Sequence, residues 1–220
     1  MVRVSRLQYP VASLGPGRRF VLWLQGCTLA CPGCVSRDTW DPTAGDEFPA
    51  DDLAQLWATA LADGAEGLTV SGGEPLQQAE ALAELLGLLA ARTEAAGRTG
   101  EVDTLMYTGY EYAELAGLGP ASGRAVGSVD ALITGRFRAA EPTELIWRGS
   151  ANQQLVPRTA LGRARYGRYA GSTDAAARLE VSVDDEDVRL VGIPRRGDLS
   201  RIERELREAG VGFGSVSWRP

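Results

Sequence analysis

Three cysteines stand at Cys27, Cys31 and Cys34, and the 220-residue chain has no others. They follow at once on residues 18–26, which are apolar in the middle, end on Gly26 and read as a buried strand. An odd number of thiols packed this tightly is a poor disulfide framework and a plausible metal site. The chain contains no histidine, so any metal must be held by thiolate, carboxylate or backbone. Structural zinc wants four ligands, and neither a fourth Cys nor a His is present to complete such a site. Zinc with one carboxylate, or inert buried thiols, are the alternatives. Three thiolates can instead hold three irons of a [4Fe–4S] cubane, which is usually held by four. The fourth iron is then open to a ligand, as the metal of a catalytic site must be. Pro32 and Gly33 let the chain turn tightly enough for the sulfurs to converge.

A second motif, Ser71-Gly72-Gly73-Glu74-Pro75, ends the next predicted strand at 67–71. Its glycines allow close backbone approach to a ligand, and Glu74 puts a carboxylate at a strand end. Taken alone it is an ordinary strand-to-helix turn. Between the two motifs, residues 50–62 carry Leu53, Leu56, Trp57 and Leu61 at helical spacing, with Asp51 and Asp52 near the start, where the helix dipole favours negative charge. A long helix is expected from about residue 75 to 96, with Leu82, Leu85, Leu86 and Leu89 as its core stripe and Pro75 in its first turn. Strands at 103–108 and 129–134 flank a short helix over 110–118. This alternation predicts an α/β fold, a parallel sheet covered by helices, with ligands at the carboxyl ends of its strands. Cys27, Ser71, Tyr107 and Gly135 all fall at or just past such ends. The pattern is lost from about 158 to 178, in an Arg-, Gly- and Tyr-rich stretch. Residues 179–220 then read as strand, acidic turn (184–187), strand, helix (199–208) and strand (213–218). The expected organisation is a core over 1–160, a linker over 161–178 and a small C-terminal ββαβ unit over 179–220.

The hydrophobic fraction of 44% and charged fraction of 24% are those of a soluble globular protein. The net charge of −6 argues against nucleic-acid partners, which need a basic field. No apolar run is long enough to span a membrane and the N-terminus has no apolar signal region, so a cytoplasmic protein is expected.

Together the two motifs resemble the radical SAM superfamily, whose signature is a three-cysteine loop followed by a GGE-type motif. Gly15-Pro16-Gly17-Arg18, Gly26-Cys27, Cys31-Pro32-Gly33-Cys34, Thr39-Trp40, Tyr107-Thr108-Gly109-Tyr110 and the stretch 145–153 narrow the resemblance to the activating proteins of glycyl radical enzymes. It covers roughly residues 5–160. It implies a partial (β/α) barrel of the radical SAM type, with a [4Fe–4S] cluster on Cys27, Cys31 and Cys34. It further implies S-adenosylmethionine (SAM) as cofactor, its methionine end along Ser71, Gly72, Gly73 and Glu74 and its adenosine against Gly33, Cys34 and Val35. The implied reaction is reductive cleavage of SAM to a 5′-deoxyadenosyl radical that takes hydrogen from a glycine of a partner, such as an anaerobic ribonucleotide reductase. An electron donor such as flavodoxin or ferredoxin completes the set.

Three departures bear on the hydrogen donor. Val35 stands where related proteins often carry an aromatic residue, Glu74 where many carry Asp, and the C-terminal unit has no counterpart in minimal activating proteins. An enzyme that modifies a peptide or small molecule, and a non-catalytic iron–sulfur electron-transfer protein, are the competing readings. Arg136, Arg138 and Arg148 are candidates for a basic rim, Tyr107 and Tyr110 for substrate positioning, and Trp40 and Trp147 for partner contacts. Trp57 reads as core.

Overall fold

A computed structural model describes residues 1–173, 179–183 and 188–212. Its centre is a seven-stranded sheet in the order β3-β1-β2-β4-β5-β6-β7. The strands are β1 (Val2–Val11), β2 (Arg19–Leu24), β3 (Asp46–Phe48), β4 (Gly67–Gly72), β5 (Asp103–Thr108), β6 (Ala131–Thr134) and β7 (Gln154–Pro157). Strands β2, β4, β5 and β6 run parallel. At one edge β1 and β3 are antiparallel, and at the other β7 is antiparallel to β6. The fold is therefore α/β with a parallel centre and antiparallel edges.

The apolar period of the sequence decides how the first face is covered. On α1 (Ala50–Ala62), Leu53, Trp57 and Leu61 recur every four residues and are buried, with Ala54 and Ala60 between them. Leu56, expected in the same stripe, is instead 40% exposed, because it falls one residue off that row. The Trp57 indole N–H donates to Leu89 O at 3.2 Å and Thr93 Oγ1 at 3.0 Å, confirming it as core. The second expected helix begins as a 3-10 turn (Pro75–Gln78) and continues as α2 (Ala79–Ala95). With α3 (Pro120–Gly127), these helices cover Phe20, Leu22, Leu24, Leu68, Val70, Met106 and Leu132, the residues of one sheet face.

Among the described residues the opposite face carries no layer of long helices. Leu105, Ala131, Ile133 and Leu155 pack on Ile146, Trp147 and Tyr166, while Val21 and Trp23 pack on Val11, Leu14 and Val191. The supposed linker is thus partly helical: α4 (Ala160–Tyr166) and a 3-10 turn (Gly167–Tyr169) place Tyr166 fully in the interior. Its apolar residues are too few for a helical stripe, so its sequence carries no helical pattern. Beyond it, β8 (Leu179–Val183) and β9 (Val188–Gly192) form an antiparallel hairpin followed by α5 (Asp198–Glu208). The expected acidic turn at 184–187 and last strand at 213–218 lie outside the described residues.

The amino-terminal rim of the parallel strands is locked by charge. Arg19 is fully buried and pairs with Asp103 at 2.9 Å, while its Nε donates to Thr69 Oγ1 at 2.6 Å. Arg165 Nε lies 2.6 Å from the same carboxylate, which also accepts from the Tyr166 hydroxyl. A Cβ on Gly67 would meet Arg19 Nη1 at 2.1 Å, so a glycine is needed for the guanidinium to pass. This lock leaves the carboxyl-terminal rim free for chemistry.

Candidate iron–sulfur and cofactor site

Just past the end of β2, Gln25 is buried and its amide donates to Asp38 O at 3.0 Å and Asp41 O at 2.8 Å. The Gly26 N–H donates to Thr39 O at 2.8 Å and the Cys27 N–H to Trp40 O at 3.0 Å. The cysteine loop is therefore tied at both ends, and Thr39-Trp40 is its backbone clasp. Within it, the Cys34 N–H reaches Cys31 O at 3.1 Å, closing a β-turn with Pro32 and Gly33 at its centre. Gly33 has φ +80°, the conformation a type II turn requires at that position.

All three thiols are free and half-buried, and all three line one cleft of about 610 Å³. Burial pushes the Cys27 thiol pKa up, partly offset by the N–H groups of Leu29 and Ala30. Burial does the same to Cys34, opposed by the Ser36 N–H and the Trp40 side chain. Among the described residues no three His, Cys, Asp or Glu converge as a single metal ion would require.

The glycine motif meets this loop at backbone distance. A Cβ on Gly72, which has φ +108°, would stand 2.3 Å from Leu24 N and O, and one on Gly73 would stand 2.3 Å from Gly26 O. The Gly73 N–H donates to Leu24 O at 2.7 Å and the Glu74 N–H to Gly26 O at 2.9 Å. Ser71, Gly72, Gly73 and Glu74 line the cleft together with Gly33, Cys34 and Val35, so the expected cofactor residues share one cavity.

The Glu74 carboxylate is 1% exposed. Its Oε1 accepts from Leu76 N at 3.0 Å and Thr108 Oγ1 at 2.9 Å, and its Oε2 from Gly109 N at 2.7 Å. Burial raises its pKa to about 7 against those hydrogen bonds. It staples the end of β4 to the end of β5, a structural task beyond the acceptor role expected for it; Oε2 keeps a lone pair for one further donor.

The other candidates divide. Trp40 and Tyr107 line the cleft. The Tyr107 hydroxyl is buried with no hydrogen-bond partner among the described residues, and burial drives its pKa well up, so it stays protonated. Tyr110 packs against the helical layer and takes Arg136 over its ring at 5.7 Å. Arg148 does not belong to a rim: it is 5% exposed and donates to Ala170 O at 2.9 Å and Tyr169 O at 3.1 Å. Trp147 is buried beside Tyr166 and Tyr169 rather than offered to a partner. Phe137 and Gly149 form an unexpected part of the wall. The stretch Ser150 to Gln153 holds them there: Asn152 Nδ2 donates to Arg136 O, and Gln153 bridges Gly135 O and the Gly149 N–H. Residues 193–199 also line the cleft, and nothing in their sequence signals it.

Comparison with known proteins agrees with this geometry. The family described as a 4Fe–4S single cluster domain matches residues 13–156. The chain is similar to the anaerobic ribonucleoside-triphosphate reductase-activating protein of Enterobacteria phage T4, at 33% identity over 66% of this chain and 87% of that protein. The protein of the same name from Escherichia coli K12 is 34% identical over 66% of this chain and 92% of its own length. The Vibrio cholerae protein is 34% identical over 67% and 93%. The chain belongs to the 4Fe–4S single cluster domain family, among the relatives of the anaerobic ribonucleoside-triphosphate reductase-activating proteins.

Proposed function

We propose that this protein is a radical SAM activating enzyme that places a glycyl radical on a partner, an anaerobic ribonucleoside-triphosphate reductase. One observation carries the reading: the three thiols and the Gly72-Gly73-Glu74 turn line a single cleft, and the Gly73 and Glu74 N–H groups donate to Leu24 O and Gly26 O, at the entry to the cysteine loop. Cys27, Cys31 and Cys34 would hold a [4Fe–4S] cluster. Ser71, Gly72, Gly73 and Glu74 would take the amino-acid end of SAM, and Gly33, Cys34 and Val35 the adenosine. When bound, the reduced cluster and SAM supply a 5′-deoxyadenosyl radical that removes a hydrogen atom from glycine.

The chain's own residues make that chemistry selective. Glycines at 72 and 73 keep the cofactor turn within backbone contact of the cysteine loop, so both ligands share one frame. Leu29, Val35, Phe137 and Ile193 give the cleft apolar walls, which would limit the water around a reactive radical once cofactor and partner fill it. The Tyr107 hydroxyl stays protonated. The sheet, with α1, α2 and α3 packed on one face, is read as the partial (β/α) barrel that the resemblance implies. We assign residues 1–160 to the core and 179–220 to an added unit. A flavodoxin or ferredoxin would supply the electron. Among the described residues no helix is long and apolar enough to cross a membrane; a cytoplasmic site of action belongs to this reading.

The test is anaerobic reconstitution with iron and sulfide, then incubation with SAM, reductant and an anaerobic ribonucleoside-triphosphate reductase from the same organism. 5′-Deoxyadenosine and a glycyl radical signal in electron paramagnetic resonance are expected. Cys27→Ala, Cys31→Ala or Cys34→Ala should each abolish both. 5′-Deoxyadenosine without a radical on the reductase would refute the activase reading and favour a peptide or small-molecule substrate. A cluster whose spectrum ignores SAM would leave only electron transfer.

A further inference from the structure

The family match ends at residue 156, and the C-terminal hairpin and helix lie beyond it. They are nevertheless built into the molecule. Val191 is 5% exposed, packed with Val11, Leu14, Val21 and Trp23, and its carbonyl accepts from Ser13 Oγ at 3.1 Å. Glu180 Oε1 accepts from the Ala12 N–H at 2.7 Å. Anchored on the sheet face that lacks the long helices, the chain then passes the carboxyl-terminal rim, and residues 193–199 line the same cleft as the three cysteines.

The charges at this wall can be paired off one by one. Arg195 Nη2 lies 2.5 Å from Glu144 Oε2, joining the C-terminal segment to the far side of the cleft. Asp198 accepts from the Arg195 N–H at 2.8 Å and pairs with Arg201 at 3.3 Å. Elsewhere on the rim Arg136 pairs with Glu114 at 2.7 Å and Arg138 with Glu141 at 3.0 Å. Arg196 is exposed, lines the cleft, and has no side-chain partner among the described residues. At this wall, among the described residues, Arg195 is paired and Arg196 is not, in a chain whose net charge is −6.

We propose that residues 193–199 form a substrate-facing wall of the active site and that Arg196 binds a carboxylate of the partner protein near the glycine it presents. The inference rests on the activase reading above. A guanidinium fork matches a carboxylate in two parallel hydrogen bonds, and a local cation offsets the repulsion between this acidic chain and an acidic segment. Arg196 is exposed whereas Glu74, lining the same cleft, is buried, so the Arg196 guanidinium is open to a macromolecule arriving from solvent.

The experiment measures glycyl radical yield against partner concentration at fixed SAM and reductant, for the full-length reconstituted protein. Arg196→Glu should raise the half-saturating partner concentration by about tenfold or more while the plateau holds within about twofold. Arg196→Lys should stay within about threefold of wild type, and high salt should narrow the gap between Arg196→Glu and wild type. A curve for Arg196→Glu that superimposes on wild type overturns the inference and leaves the activase reading standing. A lowered plateau with an unmoved half-point also overturns it, since Arg196 would then act on the chemistry rather than on docking. A wild-type protein that makes 5′-deoxyadenosine but no radical on the partner removes the activase reading, and the inference with it.

Discussion

Gly73→Ala is the sharpest perturbation of the site, because only a methyl group is added. Gly73 does not need a left-handed backbone; its φ is not positive. The cost is purely steric, with the new Cβ 2.3 Å from Gly26 O and 3.0 Å from Thr39 O. Both are backbone atoms, so neither can swing aside. To reach ordinary contact the 26–27 segment must retreat by roughly 1 Å, since real Cβ contacts lie beyond 3.0 Å. That retreat strains two hydrogen bonds, Gly73 N–H to Leu24 O at 2.7 Å and Glu74 N–H to Gly26 O at 2.9 Å. Overpacking costs about 1–3 kcal/mol and each lost hydrogen bond about 1 kcal/mol, so a loss of roughly 2–5 kcal/mol is expected. Because Cys27 is the next residue after Gly26, the cluster frame moves with it. The assay is anaerobic urea unfolding together with iron and sulfide content after reconstitution. Gly87→Ala is the control: it lies in α2, exposed, with nothing within 4 Å of its would-be Cβ. That variant should gain about 0.5–1 kcal/mol from helix propensity and keep its cluster. If Gly73→Ala matches wild type in both iron content and urea midpoint, the two motifs do not share a rigid frame and the reasoning fails.

Two further outcomes follow from buried charge. Burial holds the Glu74 carboxyl proton on until about pH 7 in the folded chain, against 4.5 in an unfolded one. The folded state therefore binds the extra proton between those values, and stability should fall by about 3 kcal/mol as pH rises from 4.5 to 7. Urea midpoints across that window should show this slope in wild type, and Glu74→Gln should remove it; an unchanged slope in the variant would assign the titration elsewhere. Asp103→Asn strips the counter-charge from fully buried Arg19 and should cost about 3–5 kcal/mol, whereas replacing both partners with apolar residues should recover most of the loss. A loss below about 1 kcal/mol for Asp103→Asn would show that the rim lock contributes little.

How much of this was legible beforehand depended on whether a residue's task is local. The cysteine loop, the glycine turn and the strands at 67, 103 and 131 announce themselves through spacing, apolar runs and punctuating glycines, and they lie where the pattern puts them. Strand β1 and β7 did not announce themselves: their residues alternate or are few, and pairing with β2 and β6 defines them. Arg148 shows the same limit from the other side. An arginine near a motif reads as a surface cation, yet its burial is set by carbonyls of Tyr169 and Ala170, some twenty residues on, in a stretch without helical periodicity.

The deeper reason is the asymmetry of the sheet. Amphipathic helices declare the face they cover, and three of them cover only one. The other face is closed by segments whose contacts are long-range and irregular: Trp147 with Tyr166, Ser13 with Val191, Arg195 with Glu144. The active-site rim borders that second face. A sequence reading therefore reaches the chemistry, which is written into the loops after β2 and β4, and stops short of the wall opposite it. In this chain residues 193–199 form part of that wall, beyond the stretch matched to its family. On the reading proposed above this wall faces the partner, and it is there that the determinants of partner choice should be sought.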